Sequence, residues 1–241
     1  MSYRENLQLS TDTDFGIFQK CFSLVGKFFD LLFPKKCLSC KKEGCAFCAT
    51  CRGQIPLETS PFANDTISLW RYDHPSLQKA LWKLKYRGKQ ELAHDLAESL
   101  YDKLIESLAE IELFENPAGN VREKYILIPI PIHKNRQKER GYNQSELLAR
   151  ELALLDPSLF ILEIGVLKKS KETKSQVSVK NREQRLRNIH NSFAVYHPKK
   201  IQGKNIIVID DITTTGATLA EARKVLRKAG AKSVICVTLA H

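Results

Sequence analysis

The sequence predicts an α/β domain with a mostly parallel sheet. Three observations predict it. Strand-like and helix-like patterns alternate from residue 66 to the end at residue 241, as expected when helices cross over between parallel strands. Two short apolar runs, Tyr125–Ile130 and Asn205–Ile209, carry no polar interruption on either face, which suits strands covered on both sides. Each run leads into a polar, Gly-containing stretch and then a helical pattern, and ligands bind at that end of open α/β sheets.

The elements follow in order. Thr66–Tyr72 reads as a strand and Ser76–Leu84 as a helix, followed by the basic turn Lys85-Tyr86-Arg87-Gly88-Lys89. Glu91–Glu115 is a long helical pattern ending at Asn116-Pro117. After the strand Tyr125–Ile130 comes an amphipathic helix, Gln144–Leu155. The strand Asn205–Ile209 precedes a helix over Thr218–Ala229, stopped by Gly230, and Ser233–Leu239 is the last strand. Lys168–Asn191 is rich in Lys, Arg, Gln, Ser and Asn, the composition of a functional or disordered loop. The organisation expected is a flexible N-terminus over 1–14, a helix plus a cysteine-rich element over 15–60, and the α/β domain over 61–241.

The 38 lysines and arginines exceed the 27 acids, giving a net charge of +11. That excess suits anionic partners, whether polyphosphates, nucleic acid or an acidic membrane surface, and does not choose among them. Met1–Asp14 is polar and has no apolar core behind a basic start, so no secretory signal is expected and a cytoplasmic location is. Phe15–Phe33 is apolar but interrupted by Lys20, Lys27 and Asp30, which makes a transmembrane segment a poor fit. Its residues Phe18, Cys21, Phe22, Val25, Phe28, Phe29 and Leu32 recur at helical spacing. A helix packed on the protein's own core is the expectation, with a membrane-surface helix as the other reading.

Cys37-x₂-Cys40 and Cys48-x₂-Cys51 form two knuckles of the kind that complete a thiolate tetrahedron around zinc. In a cytoplasmic chain this spacing favours metal over disulfides. Cys45 also stands in Cys-x₂-Cys spacing with Cys48 and could replace one ligand. The set Cys37, Cys40, Cys48 and Cys51 is preferred because its pairs are independent, and no open coordination position is suggested, so the zinc would be structural. Cys21 and Cys236 lie in apolar patterns and read as core residues.

The string Asp210-Asp211-Ile212-Thr213-Thr214-Thr215-Gly216-Ala217-Thr218 has a mechanical reading. Two acids end a buried strand. A Thr/Gly loop follows, whose backbone N–H groups can approach a phosphate because glycine removes side-chain bulk. The helix start behind it adds partial positive charge. Two carboxylates would repel a phosphate unless they hold something neutral or cationic, and ribose hydroxyls or Mg²⁺ both fit.

This string resembles the 5-phosphoribosyl-1-diphosphate (PRPP) motif of type I phosphoribosyltransferases. The resemblance implies that Asp210 and Asp211 hold the ribose 2′ and 3′ hydroxyls and that Thr213, Thr214, Thr215, Gly216, Ala217 and Thr218 cradle the 5-phosphate, with Mg²⁺ accompanying PRPP. Thr214 departs from the acid often found there in purine-salvage members, which argues against a purine-salvage substrate. Upstream, Ile128-Pro129-Ile130-Pro131 leads into a basic stretch ending Arg140-Gly141-Tyr142-Asn143-Gln144. The planar donor fork of Arg140 suits phosphate oxygens, and Arg140 with Gly141 forms a candidate diphosphate site.

Together these strings resemble the ComF family (competence protein F, also GntX-like or amidophosphoribosyltransferase-like) over nearly the whole chain. The match includes Leu32-Phe33-Pro34 before the cysteines, Lys85-Tyr86-Arg87-Gly88, Arg140–Gln144, and Thr173, Gln176, Arg182, Arg187-Asn188 and Phe193. It implies a type I phosphoribosyltransferase fold, a mostly parallel sheet flanked by helices, with a small N-terminal zinc-binding element. It also implies that Lys168–Asn191 is a mobile loop covering the site. Excluding water matters for an oxocarbenium-like reaction, and Arg182, Arg185 and Arg187 are the loop's candidate catalytic groups.

Three functions are open at this stage. The first is phosphoribosyl transfer from Mg-PRPP to an unknown acceptor, whose pocket would fall between Thr66 and Glu115. The second is single-stranded nucleic-acid binding on a catalytically idle fold. It draws on the charge, the zinc element and the link of ComF relatives to competence, DNA uptake and DNA-processing partners. The third is a regulator that senses PRPP without turnover. No general base is evident.

Overall fold

The computed structural model describes residues 34–59, 66–115, 123–169 and 192–241. The helix expected over 15–33, the loop arginines Arg182, Arg185 and Arg187, and Thr173, Gln176 and Asn188 lie outside the described residues. The chain divides into two compact units, Met1–Ala46 and Phe47–His241.

In the first unit, residues 34–46 form a tight knuckle. Lys36 bridges Glu43 in antiparallel fashion, and the Cys37 N–H donates to the Lys42 carbonyl at 2.8 Å. The Leu38 N–H donates to the Ala46 carbonyl at 2.8 Å, so the turn is closed by main-chain bonds.

The second unit begins with a one-turn helix α1 (Ala49–Arg52) and continues with β1 (Thr66–Trp70), α2 (Pro75–Tyr86) and α3 (Leu92–Glu115). Then follow β2 (Tyr125–Pro129), α4 (Lys134–Arg140), α5 (Gln144–Leu155) and β3 (Phe160–Leu162). A short antiparallel ribbon pairs β4 (Leu167–Lys169) with β5 (Phe193–Val195). The chain ends with β6 (Asn205–Ile212), α6 (Ala217–Lys228) and β7 (Ser233–Ala240).

The main sheet has strand order β1-β7-β6-β2-β3, and every adjacent pair is parallel. The uninterrupted apolar runs explain its position. Successive side chains alternate faces, and both faces of β2, β6 and β7 are buried. Ile126, Ile128, Ile206, Val208, Val234 and Cys236 share one core with Leu219, Ala222 and Leu226 of α6 and with Leu167 and Phe193 of the ribbon. Leu127, Ile207, Ile209, Ile235 and Val237 are buried on the opposite face, which α3 and α5 cover. Cys236 is thus a core residue, as its apolar setting in the sequence suggested.

Two details differ from expectation. The strand read over Asn205–Ile209 runs on to Ile212, so Asp210 and Asp211, expected at its C-terminal edge, form the sheet's last rungs. Asp210 registers with Thr238 of β7. The basic stretch read as a loop contains the helix α4, none of whose residues is buried. His133 caps it, Nδ1 accepting from the Asn135 N–H at 3.3 Å. Gly141 ends it at φ 81°, a left-handed conformation that costs glycine little.

Candidate functional site

The site lies at the C-terminal end of β6, within the second unit. Continuing the strand through Asp210 and Asp211 fixes both carboxylates by main-chain bonds. Asp210 Oδ1 accepts from the Asp211 N–H, and Asp211 Oδ1 accepts from the Ile212 N–H, each at 2.9 Å. Other elements reach in to partner them. The Ser145 hydroxyl, at the start of α5, donates to Asp210 Oδ1 at 2.9 Å. Lys85, near the end of α2, places Nζ 2.8 Å from Asp211 Oδ2.

Ser145 is held by its neighbour. Asn143 caps α5, its Oδ1 accepting from the Ser145 N–H at 3.1 Å, while its Nδ2 donates to the Ile130 carbonyl at 3.0 Å. The exit of β2 is thereby tied to the helix that touches Asp210.

Charge crowding defines the electrostatics. Burial pushes the Asp210 carboxyl up to about 7, and the negative charge of Asp211 adds to the rise, against the opposing pull of Lys85 and the Ser145 hydroxyl. Burial by itself would lower the Lys85 ammonium, but the attraction of Asp211 and the hydrogen bond to it prevail and hold it above its usual value. Lys169, the last residue of β4, is shifted down by burial and then by the positive charge of Arg136, with Asp210 acting in the other sense.

The Thr213–Thr218 loop follows directly. Its first N–H, from Thr213, is spent on the Ala240 carbonyl at 3.0 Å, which pins the loop to β7. The ring Nε2 of His241 donates to the Thr214 carbonyl at 3.2 Å. Gly216 takes φ 70° as N-cap of α6, a left-handed turn that a side chain would strain. Among the described residues, the backbone N–H groups of Thr214, Thr215, Gly216 and Thr218 have no acceptor in the protein. Clustered N–H groups at the head of a helix are a ready binding site for an anion.

Beside the loop runs a cleft of about 310 Å³. One wall is Ile212–Thr218, and the other is Tyr72, Leu81, Trp82, Lys85 and Tyr86. Arg140 lies against this second wall. Its guanidinium carbon sits 4.8 Å from the Tyr86 ring centre, Nη2 donates to the Tyr86 hydroxyl at 3.3 Å, and Nη1 donates to Gln144 Oε1 at 3.2 Å. The Tyr142 hydroxyl donates to the Leu84 carbonyl, joining the Arg140–Gln144 string to α2.

The four cysteines Cys37, Cys40, Cys48 and Cys51 also come together. Their sulfurs all lie within 4.8 Å of one another. A zinc tetrahedron with bonds of about 2.3 Å has sulfur–sulfur edges of about 3.8 Å, so the set fits a structural zinc. Cys45 is not among these four. Within the second unit, Phe47 is fully buried, its N–H donating to Asp95 Oδ2 of α3 at 2.7 Å. The buried Arg52 continues this attachment. It donates to the Phe47 carbonyl at 3.1 Å and to Glu98 Oε2 at 2.9 Å, and lies 3.6 Å from Asp95 Oδ1.

The structure thus brings the acid pair, the Thr/Gly loop and the Arg140–Gln144 string to one sheet end. Ser145, Lys85 as the partner of Asp211, Lys169 and His241 were not singled out by the sequence reading. The string Lys85-Tyr86-Arg87-Gly88, read there only as a basic turn and part of the resemblance, was the available signal for Lys85.

Residues 140–241 match the phosphoribosyl transferase domain family. The chain is 28% identical over 214 residues to competence protein F of Haemophilus influenzae, covering 82% of this chain and 86% of that protein. It is 28% identical over 169 residues to the DNA utilization protein YhgH of Escherichia coli K12, covering 68% and 69%. Against the competence protein ComFC of Bacillus subtilis it is 38% identical over 119 residues, covering 48% and 44%. Domain and relatives together fit the ComF family within the type I phosphoribosyltransferase superfamily. Among the described residues, no helix is long and apolar enough to cross a membrane.

Proposed function

We propose that this protein binds PRPP together with Mg²⁺ and transfers its phosphoribosyl group to an acceptor, acting in the cytoplasm in a setting linked to competence and DNA uptake. One observation carries the reading: an acid pair at the end of β6 directly followed by a loop in which, among the described residues, the N–H groups of Thr214, Thr215, Gly216 and Thr218 have no acceptor in the protein. The pattern suits a ligand with a vicinal diol at one end and a phosphate at the other. The names of the relatives, competence protein and DNA utilization protein, support the setting.

In this reading Asp210 and Asp211 accept hydrogen bonds from the ribose 2′ and 3′ hydroxyls. The N–H groups of Thr214, Thr215, Gly216 and Thr218, with the hydroxyls of the Thr213–Thr218 loop, bind the 5-phosphate. Arg140, with the chain at Gly141, meets the diphosphate, and Arg182, Arg185 and Arg187 are the further candidate cationic groups. The C1–O bond breaks with its electron pair leaving on the diphosphate, and the acceptor's nucleophile bonds to C1. Stabilising the departing charge supplies most of the rate. Mg²⁺, when bound, adds positive charge beside the diphosphate oxygens. The hydroxyls favour the ionised form of Asp210, so a carboxyl titrating near 7 gives up its proton as ribose binds.

The test is diphosphate release from PRPP and Mg²⁺ across a panel of amines and heterocyclic bases. Release with at least one acceptor, abolished in Asp210→Asn, is expected. No release with any acceptor would overturn transfer and leave a PRPP sensor.

A second reading, single-stranded nucleic-acid binding, is favoured by the net charge of +11 and by the exposed Tyr196 with Lys168 Nζ 4.3 Å from its ring centre. It predicts an affinity for oligonucleotides that falls steeply with salt. Negligible binding at low salt would remove it.

A further inference from the structure

The phosphate loop does little to fix its own shape. The Ala217 N–H reaches Thr215 Oγ1 only at 3.5 Å, and Gly216 heads α6 with no side-chain cap. Firmer bonds come from outside, from two consecutive residues at the end of β7. The Ala240 carbonyl accepts from the Thr213 N–H at 3.0 Å, and the His241 ring reaches the Thr214 carbonyl at 3.2 Å. A carbonyl has no proton to give, so Nε2 is the donor.

His241 is held through both its backbone and its ring. Its N–H donates to the Trp70 carbonyl at 3.1 Å, and its carbonyl accepts from the Tyr72 N–H at 2.9 Å, which carries the pairing with β1 one residue past β7. The ring Nδ1 lies 3.8 Å from Glu58 Oε2, and the Glu58 side chain is only 9% exposed. Glu58 is itself set beside β1, its N–H donating to the Leu69 carbonyl at 3.0 Å. Oxygen atoms therefore face both ring nitrogens, and a half-turn of the ring would set carbon against each.

The peptide held by this ring matters for an anion. In a trans peptide, such as that joining Thr214 to Thr215, the C=O and the N–H point in opposite directions. With the Thr214 carbonyl turned onto His241, the Thr215 N–H points away from the ring. Among the described residues that N–H has no acceptor in the protein. Were the peptide to turn over, the loop would present a carbonyl oxygen in place of a donor, and the partial negative charge would repel a phosphate.

We infer that His241 is a positioning residue for the phosphate loop: by holding the Thr214 carbonyl it turns the Thr215 N–H onto the 5-phosphate, while Glu58 keeps the ring aimed. This inference rests on the PRPP reading above and adds to it two residues that touch neither ribose nor phosphate.

The test uses the full chain and ribose 5-phosphate, titrated calorimetrically into the parent, His241→Leu, His241→Gln and Glu58→Gln. Glutamine places an amide donor at the reach of Nε2, whereas leucine fills the space without one. Affinity should fall about tenfold in His241→Leu, as for one lost hydrogen bond to a charged group, and stay within about threefold of the parent in His241→Gln. Glu58→Gln leaves the ring its donor but loosens its aim, and should lie between the two. Amide NMR gives a second readout. In the parent, ribose 5-phosphate should move the Thr215 amide resonance strongly and that of Thr213 little, because the Thr213 N–H is spent on Ala240. In His241→Leu the Thr215 shift should shrink.

Parent-like affinity in His241→Leu overturns the positioning role. So does an equal loss in His241→Leu and His241→Gln, which is what general loosening at the end of β7 would give. A Thr215 amide left in place by ribose 5-phosphate in the parent overturns it without any variant, so a variant that fails to fold does not shield it. In each of these cases PRPP that still binds leaves the PRPP reading standing. Failure of ribose 5-phosphate and PRPP alike to bind the parent overturns both readings.

Discussion

The cysteine segment and the acid-pair site are built in opposite ways. All four sulfurs of the cluster come from the short stretch between Cys37 and Cys51. The acid-pair site draws Lys85 from α2, Ser145 from α5, Asp210 and Asp211 from β6 and His241 from beyond β7. The first gathers its groups by local turns. The second exists only once the strand order β1-β7-β6-β2-β3 has formed. The local site needs only its own turns, whereas the assembled site is sensitive to every element that feeds it.

The largest effect should come from the local site. Cys48→Ser removes one thiolate of the proposed zinc tetrahedron, and metal-bound folding energy is large. Bound zinc, measured by elemental analysis, should fall from one equivalent to near zero, and the thermal midpoint by about 10 °C or more. Cys45→Ser should leave the zinc content at one equivalent. Loss of metal in that variant alone would break the assignment.

Next comes Arg52→Ala. It strands the buried Asp95 of α3 and should cost about 3 kcal/mol in denaturant unfolding, the usual penalty for breaking a buried pair from one side. A cost below about 1 kcal/mol would mean that Phe47 packing alone holds the segment.

Asp210→Asn probes the assembled site with effects of opposite sign on binding and stability. PRPP affinity should drop about 10- to 100-fold, the usual range for losing a charged hydrogen-bond partner. The stability effect follows from the raised carboxyl. The folded value of about 7 lies above the ordinary 3.8, so the folded state holds the proton more tightly. The associated stability is fully present below about pH 3.8 and is lost as pH rises through about 7. Asparagine removes that loss, so Asp210→Asn should be more stable than the parent at pH 8 and should flatten the decline between pH 4 and 7. A variant less stable than the parent at pH 8 would contradict the crowding described here.

The smallest effect is expected at Lys85→Met. With the positive charge gone from beside Asp211, the Asp210 carboxyl should titrate higher still. The pH at which PRPP binding is half-maximal should shift upward by about one unit or less, since the pair is only partly buried. An unchanged profile would separate Lys85 from the acid pair.

The same contrast explains how much was legible in the sequence. The four-cysteine cluster followed from spacing, because the residues that meet are neighbours in the chain. The buried strands followed from uninterrupted apolar runs, and the Thr213–Thr218 loop from its place after one of them. The short strands β3, β4 and β5 have three residues each, too few for alternation to register. The helix α4 buries none of its residues and so has no apolar stripe to reveal it. Ser145 meets Asp210 across 65 residues, a pairing set by sheet order and by the Asn143 cap, neither of which appears as a local pattern. The strand reads as ending at Ile209 because hydrophobic patterning ends there, while main-chain pairing with β7 continues to Ile212.

The central claim is that the acid pair and the donor-rich loop form one PRPP site. Isothermal titration with PRPP and Mg²⁺, on the parent protein and on Asp210→Ala with Asp211→Ala, tests it most directly. Saturable binding of one PRPP per chain in the parent, lost in the double variant, is the predicted result. Binding that is equal in both proteins, or absent from both, would contradict it.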